Sequence, residues 1–222
     1  MPSIGLAVTL GGRVPIGRGL GASATARVGL LVALNELTRA GLDRHQLLTL
    51  ATTLEGHPDN ASPALFGGFT VSGLTLGTVR CLRFKVSPRL KLVTLIPRFQ
   101  ISTETARKLV PSVFSKADTA HSLNRAALVT AAFASGQYEQ LRGLFDDRVH
   151  QPFRRRLIPQ LTRVLRAGEK AGAIGGWLSG SGSAIMCLTL AQTHAVARAM
   201  HAELPDSEIR LLSPDNRGAV IL

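Results

Sequence analysis

Pro15-Ile16-Gly17-Arg18-Gly19-Leu20-Gly21-Ala22-Ser23-Ala24 is a glycine-rich turn that runs straight into an apolar helical segment. Gly17, Gly19 and Gly21 permit backbone geometries and close approaches that a Cβ would forbid. The following helix offers unpaired N–H groups and the positive end of its dipole, so an anion such as phosphate is the natural guest. Leu30, Leu31, Leu34 and Leu37 recur at helical spacing, which predicts a helix over residues 23–40 with Gly41 as its stop. No Gly-Lys-Ser/Thr follows the glycines, and the dinucleotide G-x-G-x-x-G pattern with its distant acid is absent. On the glycines alone, an ordinary strand-to-helix connection fits equally well.

Composition narrows the field around this turn. A chain of 222 residues, 45% of them hydrophobic, can bury a substantial core as one domain or two small ones. No apolar run approaches the roughly eighteen residues of a membrane span, and Met1-Pro2-Ser3 is not the start of a signal peptide. The expected location is the cytoplasm, with no membrane partner. Cys81 and Cys187 sit in strand-like runs without ligand spacing and read as reduced core thiols. The net charge of +12 is spread from Arg13 to Arg217, and Arg154-Arg155-Arg156 is its single run. With 5% aromatics and no interleaved motif, that charge predicts attraction for phosphate-bearing ligands and no nucleic-acid partner.

Outward from the turn, residues 4–15 read as an extended entry. Asp43 with Gln46 makes a capping box for a second helix that Gly56 closes, which puts Glu55 at its end and residues 57–60 in the loop beyond. Residues 69–76, 79–86 and 90–96 read as strands, the middle one alternating Leu82, Phe84 and Val86 with Arg83 and Lys85. Helices are expected after Thr103 and over 117–134, 138–146 and 158–171. Strands 174–178, 184–190 and 209–212, with a helix over 192–203, complete an α+β class chain. The turn at Ser87-Pro88 divides it into domains 1–87 and 88–222.

The Pro-x-x-x-Gly-Leu-Gly-x-Ser-Ala pattern of residues 15–24 resembles the nucleotide phosphate loop of the GHMP kinases, which phosphorylate small alcohols. Glu55-Gly56-His57-Pro58-Asp59-Asn60 with Ser62-Pro63-Ala64-Leu65-Phe66-Gly67-Gly68 is similar to the matching stretch of homoserine kinases. Thr103-Glu104-Thr105-Ala106-Arg107 and Gln151-Pro152-Phe153-Arg154 follow in the same order, and Leu178-Ser179-Gly180-Ser181-Gly182-Ser183 resembles the third superfamily motif. The resemblance implies a two-domain fold, with a ribosomal-protein-S5-like N-terminal domain and a ferredoxin-like C-terminal one. It also implies that the chain starts late: the Pro-x-Ser-x-Asn-x-Gly-x-Gly-x-Asp-like segment that opens the family is not present, so the N-terminal domain is expected to be truncated. Ala22 stands where the family usually has serine, and Ser183 where it has proline.

What the resemblance implies for chemistry is phosphoryl transfer from ATP, with Mg²⁺, to L-homoserine on the route to threonine. Pro15, Ile16, Gly17, Arg18, Gly19, Leu20, Gly21, Ala22, Ser23 and Ala24 would hold the nucleotide, and Ser23 and Glu55 the metal. Asn60, Thr103 and Arg107 form the implied catalytic set, while Asn60, Arg107, Arg154 and Gly180 would hold substrate. His57 is assigned no proton-transfer role. Each residue also has a plainer reading: Glu55 as a solvated helix-end acid, Thr103 as the N-cap of the helix after it, the arginines as surface cations, and residues 179–183 as a simple turn. Two alternatives stand beside the kinase: an inactive fragment, and a kinase for another small alcohol such as a mevalonate-like acid. The resemblance also leaves room for a homodimer.

Overall fold

The computed structural model describes residues 5–222. Ile4, the first residue of the expected extended entry, lies outside them. Residues 5–12 form no strand pairing among the described residues and run exposed toward the glycine turn.

Helix α1 spans Ala22–Thr38 and is capped at its end by Arg39 in the left-handed region, two residues before the expected stop at Gly41. Arg39 and Ala40 close it by donating their N–H groups to the Glu36 and Asn35 carbonyls, so the stop is made by backbone geometry without a glycine. Helix α2, Arg44–Glu55, has the expected capping box: the Asp43 carboxylate accepts from Gln46 N while the Gln46 side chain accepts from Asp43 N, both at 2.8 Å. Gly56 closes it. The short α3, Ala61–Phe66, was not foreseen, because Pro63 sits inside it. Val28, Leu47, Leu48, Ala51, Ala61 and Leu65 from these helices share a core with Val79. Each large aliphatic buried there contributes roughly 1.5–3 kcal/mol.

Strands β1 (Phe69–Thr75) and β2 (Thr78–Phe84) form an antiparallel hairpin that packs on this core through Val79 and Cys81. The expected apolar face of β2 is only partly realised: Phe84 is half-buried and Val86 buried, but Leu82 is 64% exposed. Only one face of the two-stranded sheet meets α2 and α3, and Leu82 points to the other. Cys81 is half-buried rather than a core thiol; Cys187 is fully buried, and burial pushes its thiol up to about 12.

Residues from 91 onward build a four-stranded antiparallel sheet in the order β4-β5-β3-β6. The strands are β3 (Lys91–Pro97), β4 (Gly175–Leu178), β5 (Ile185–Thr189) and β6 (Ser207–Leu212). Helix α7 (Leu161–Lys170) lies between β3 and β4, and α8 (Thr193–Glu203) between β5 and β6, which is the β-α-β-β-α-β order of a ferredoxin-like fold. Val93 and Leu95 pair with Cys187 and Ile185 and face the α7/α8 layer, whereas Leu92 and Leu188 face Phe133 and Trp177. Helices α4 (Thr103–Lys108), α5 (Lys116–Ser135) and α6 (Gln151–Arg154) fill the crossover after β3.

Two expected helices are shorter than read. Residues 138–146 form a single 3₁₀ turn at Tyr138–Leu141, since Gly143 at φ +74° breaks the run. The segment expected as a helix over 158–171 begins only at Leu161, because Pro159 keeps Ile158, at φ −138° and ψ 81°, out of helical backbone. The last ten residues return to the first half of the chain, where the Asn216 side chain brackets the Val86 backbone and Ala219 N donates to Leu65 O. No helix of the described residues is long and apolar enough to cross a membrane.

Candidate functional site

The glycine turn reaches α1 without a side-chain cap. Gly21 occupies the N-cap position at φ +72°, and with no side-chain oxygen to receive them the first N–H groups of this 17-residue helix stay available. Gly19, also at φ +72°, is where the backbone comes closest to a neighbour: a Cβ there would lie 2.0 Å from Ser179 O and 2.8 Å from Gly182 N. The turn is therefore pressed against the connection between β4 and β5. Ser179 Oγ donates to Gly19 O at 2.8 Å, and Ala184 N donates to Arg18 O at 3.0 Å. Residues 179–183 are thus a partner of the glycine turn and not a free-standing β-turn.

Glu55, at the C-terminal end of α2, comes to the start of α1. Ser23 Oγ donates to Glu55 Oε1 at 2.9 Å, and Arg27 pairs with the same oxygen at 2.7 Å. The Glu55 side chain is only 9% exposed, so the reading of a solvated helix-end acid is overturned. Arg27 was not singled out in the sequence, although it lies one helical turn after Ser23 and so on the same face. Ser23 Oγ and Glu55 Oε1 thus lie side by side, where both could turn toward one ion. Among the described residues there is no group of three or more His, Cys, Asp or Glu that could cage an ion. A hydroxyl beside one carboxylate suits Mg²⁺, which takes few protein oxygens and completes its shell with phosphate and water.

Asn60 precedes α3, and its side chain faces the glycine turn: a Cβ on Gly21 would sit 3.7 Å from Asn60 Oδ1. In the same loop His57 Nδ1 lies 2.5 Å from Asp59 Oδ1, which leaves the ring engaged within its own loop. Thr103 is not the cap of α4. That place belongs to Ser102, whose Oγ accepts from Thr105 N at 3.0 Å, while Thr103 Oγ1 lies 3.4 Å from Ser181 Oγ.

Arg154 ends α6 and donates from Nη1 to Gly180 O at 2.9 Å. Burial pulls its guanidinium below the usual value, the Asp147 carboxylate works against that, and the charge of Arg107 adds to it. Arg107, exposed in the last turn of α4, is thus near enough for its charge to bear on Arg154, and Arg154 Nε is buried without a partner. A guanidinium with an unused buried donor and a second cation within electrostatic range are suited to a carboxylate. Beside them is a cleft of about 470 Å³ whose lining includes Asp59, Arg125, Asp147, Arg154, Trp177 and Gly180. The structure places the 179–183 connection against the glycine turn on one side and against Thr103 and Arg154 on the other.

Comparison with known proteins identifies the family. Residues 2–68 match the family described as GHMP kinases N terminal domain, and residues 129–206 the one described as GHMP kinases C terminal. The chain is 41% identical over 221 residues to a homoserine kinase of Carboxydothermus hydrogenoformans, covering 98% of this chain and 72% of the relative. It is 36% identical over 225 residues to a homoserine kinase of Moorella thermoacetica, covering 100% of this chain and 76% of the relative. The crystal structure of homoserine kinase from Cytophaga hutchinsonii superposes with a TM-score of 0.86 at 25% identity, over 93% of this chain and 69% of that one. With its two-part fold and its motifs in family order, the chain belongs to the homoserine kinase family of the GHMP kinases, ATP-dependent phosphotransferases.

Proposed function

We propose that this chain transfers the γ-phosphoryl group of ATP to the side-chain hydroxyl of L-homoserine, giving O-phospho-L-homoserine in threonine biosynthesis. The observation that carries the reading is the 179–183 connection, which abuts the glycine turn at Gly19 and the Arg154 guanidinium at Gly180. Donor and acceptor would meet across it, with residues 1–87 serving mainly the nucleotide and residues 88–222 mainly the acceptor.

Phosphoryl transfer needs positioning and charge neutralisation more than covalent work by the protein. The backbone of residues 17–23 would receive the triphosphate, and Ser23 with Glu55 would hold Mg²⁺. When bound, the ion would offset charge on the transferring phosphate. Arg107 and Arg154 would fix the acceptor's carboxylate, with Asn60 and Thr103 beside its hydroxyl. That hydroxyl oxygen forms the new P–O bond as the bond to ADP breaks, and its proton passes to solvent. His57, whose Nδ1 meets Asp59, is assigned no proton-transfer role.

The test is ADP release dependent on L-homoserine in a coupled assay, with O-phosphohomoserine identified by phosphorus NMR. ATP binding without homoserine-dependent product would refute the reading. Turnover on mevalonate in preference to homoserine would move the chain to the other acceptor class.

A further inference from the structure

Helix α6 is a single turn, Gln151–Arg154, and so short a helix does not hold itself. Its order comes from outside. The Asp147 carboxylate accepts the N–H groups of Val149 at 2.9 Å, His150 at 2.7 Å and Gln151 at 2.6 Å, which pins the entry to the turn. The Gln151 side chain then spans to the sheet: its Oε1 accepts from Leu178 N at 2.8 Å and its Nε2 donates to Phe145 O at 2.8 Å. Leu178 is the last residue of β4, immediately before the 179–183 connection. The backbone that carries Arg154 and the backbone that carries Gly180 are therefore joined twice, once through Gln151 and once through Arg154 itself.

We infer that Asp147 and Gln151 are positioning residues for the acceptor's carboxylate, holding the α6 turn so that the Arg154 guanidinium stays in place against the Gly180 carbonyl before substrate arrives. The inference rests on the reading of Arg154 given under Proposed function. Arginine has a long, freely rotating side chain, and fixing it in advance removes an entropic cost from binding. Asp147 also supplies charge: it favours the charged form of Arg154, against the opposing influence of Arg107. Asparagine replaces it only in part: with one oxygen in place of two, its NH₂ group would confront either the Val149 N–H or those of His150 and Gln151.

Trp177, the chain's single tryptophan, lines the same cleft as Asp147, Gln151 and Arg154, so its fluorescence reads acceptor binding without turnover. Titration with L-homoserine is compared for the parent chain, Asp147→Asn, Gln151→Ala, Arg154→Met and the double variant Asp147→Asn/Arg154→Met, with ATP affinity measured by calorimetry. Asp147→Asn is expected to weaken homoserine binding by at least about tenfold, leave ATP affinity within about twofold, and add nothing in the Arg154→Met background. Hydrogen exchange at the amides of residues 149–151 is expected to quicken in Asp147→Asn. Gln151→Ala is expected to follow the same pattern without loss of the Asp147 hydrogen bonds. Homoserine affinity indifferent to Asp147→Asn, an effect additive with Arg154→Met, or equal losses for ATP and homoserine would overturn this inference alone. A parent chain that binds ATP but shows no response to homoserine by fluorescence or calorimetry would overturn the functional reading, and with it the role given to this turn.

Discussion

Gly19 and Gly41 form a pair that separates backbone strain from contact. Both are in the left-handed region, at φ +72° and +68°, but a Cβ on Gly41 meets nothing within 4 Å, whereas on Gly19 it lies 2.0 Å from Ser179 O. Alanine at either position carries the left-handed penalty of about 1–2 kcal/mol, and the entropy it removes from the unfolded chain is the same in both. Gly19→Ala must in addition push two backbones apart, an overpacking cost of about 1–3 kcal/mol. For a chain of this size each kcal/mol moves the melting temperature by about 2–4 °C, so Gly19→Ala should melt about 2–12 °C below Gly41→Ala. Urea unfolding followed by circular dichroism measures the free-energy difference, and calorimetric titration with ATP measures the functional one. Gly41→Ala should keep parental ATP affinity, while Gly19→Ala should lose it along with the contact to residues 179–183. Equal destabilisation of the two variants, or a Gly19→Ala chain with parental ATP affinity, would refute the argument.

Glu55→Gln should reduce apparent Mg²⁺ affinity in the kinase assay by at least the roughly ten- to hundredfold that loss of an outer-shell partner costs, while changing thermal stability little; unchanged Mg²⁺ dependence would remove Glu55 from the metal site. Asp43→Ala removes the carboxylate that accepts from Gln46 N, leaving only the backbone half of the α2 capping box, and should cost about 1 kcal/mol in urea unfolding, with Michaelis constants unaltered. Burial pushes the Asp147 carboxyl up, but the nearby His150 imidazole and hydrogen bonds from the backbone of Gln151, Val149 and His150 together outweigh this and hold it well below the usual carboxylate range. A depressed native pKa gives stability that is present above the unfolded value near 3.8 and is lost as the pH falls from about 5 through the native pKa. Acid unfolding of Asp147→Asn should therefore show a shallower loss of stability than the parent over that window, and parallel curves would contradict the assignment.

Local rules made the helix ends and strands legible, and long-range contacts made the remainder illegible. The α2 capping box is a signal three residues wide, and it is present as read. The stop of α1 was misplaced because Arg39, a residue with no special preference for the left-handed region, adopts it ahead of a glycine two positions on. Leu82 alternates as a buried strand residue should, yet it is exposed because burial depends on what covers the sheet. In the site, Ser23, Glu55, Asn60, Arg107 and Arg154 were reachable through motif order, whereas Asp147 and Gln151 matter through hydrogen bonds to a backbone that no spacing rule identifies. The return of residues 213–222 to the first half is another such case: Asn216 bonds to Val86, 130 positions away.

The 179–183 connection divides the consequences of mutation between the two ligands. Its Ser179 hydroxyl and the packing of Gly182 serve the glycine turn, and its Gly180 carbonyl serves Arg154. A change that displaces the whole connection must act on both sides, so its effects on nucleotide and acceptor affinity should rise together. A change confined to Asp147 reaches Arg154 through the α6 turn and leaves the Ser179–Gly19 contact intact, so only acceptor affinity should respond. The same asymmetry explains how Ala22 is accommodated at the turn: Gly21 already leaves the first N–H groups of α1 uncapped, so the anion site depends on backbone donors and on Ser23, neither of which needs a hydroxyl at position 22.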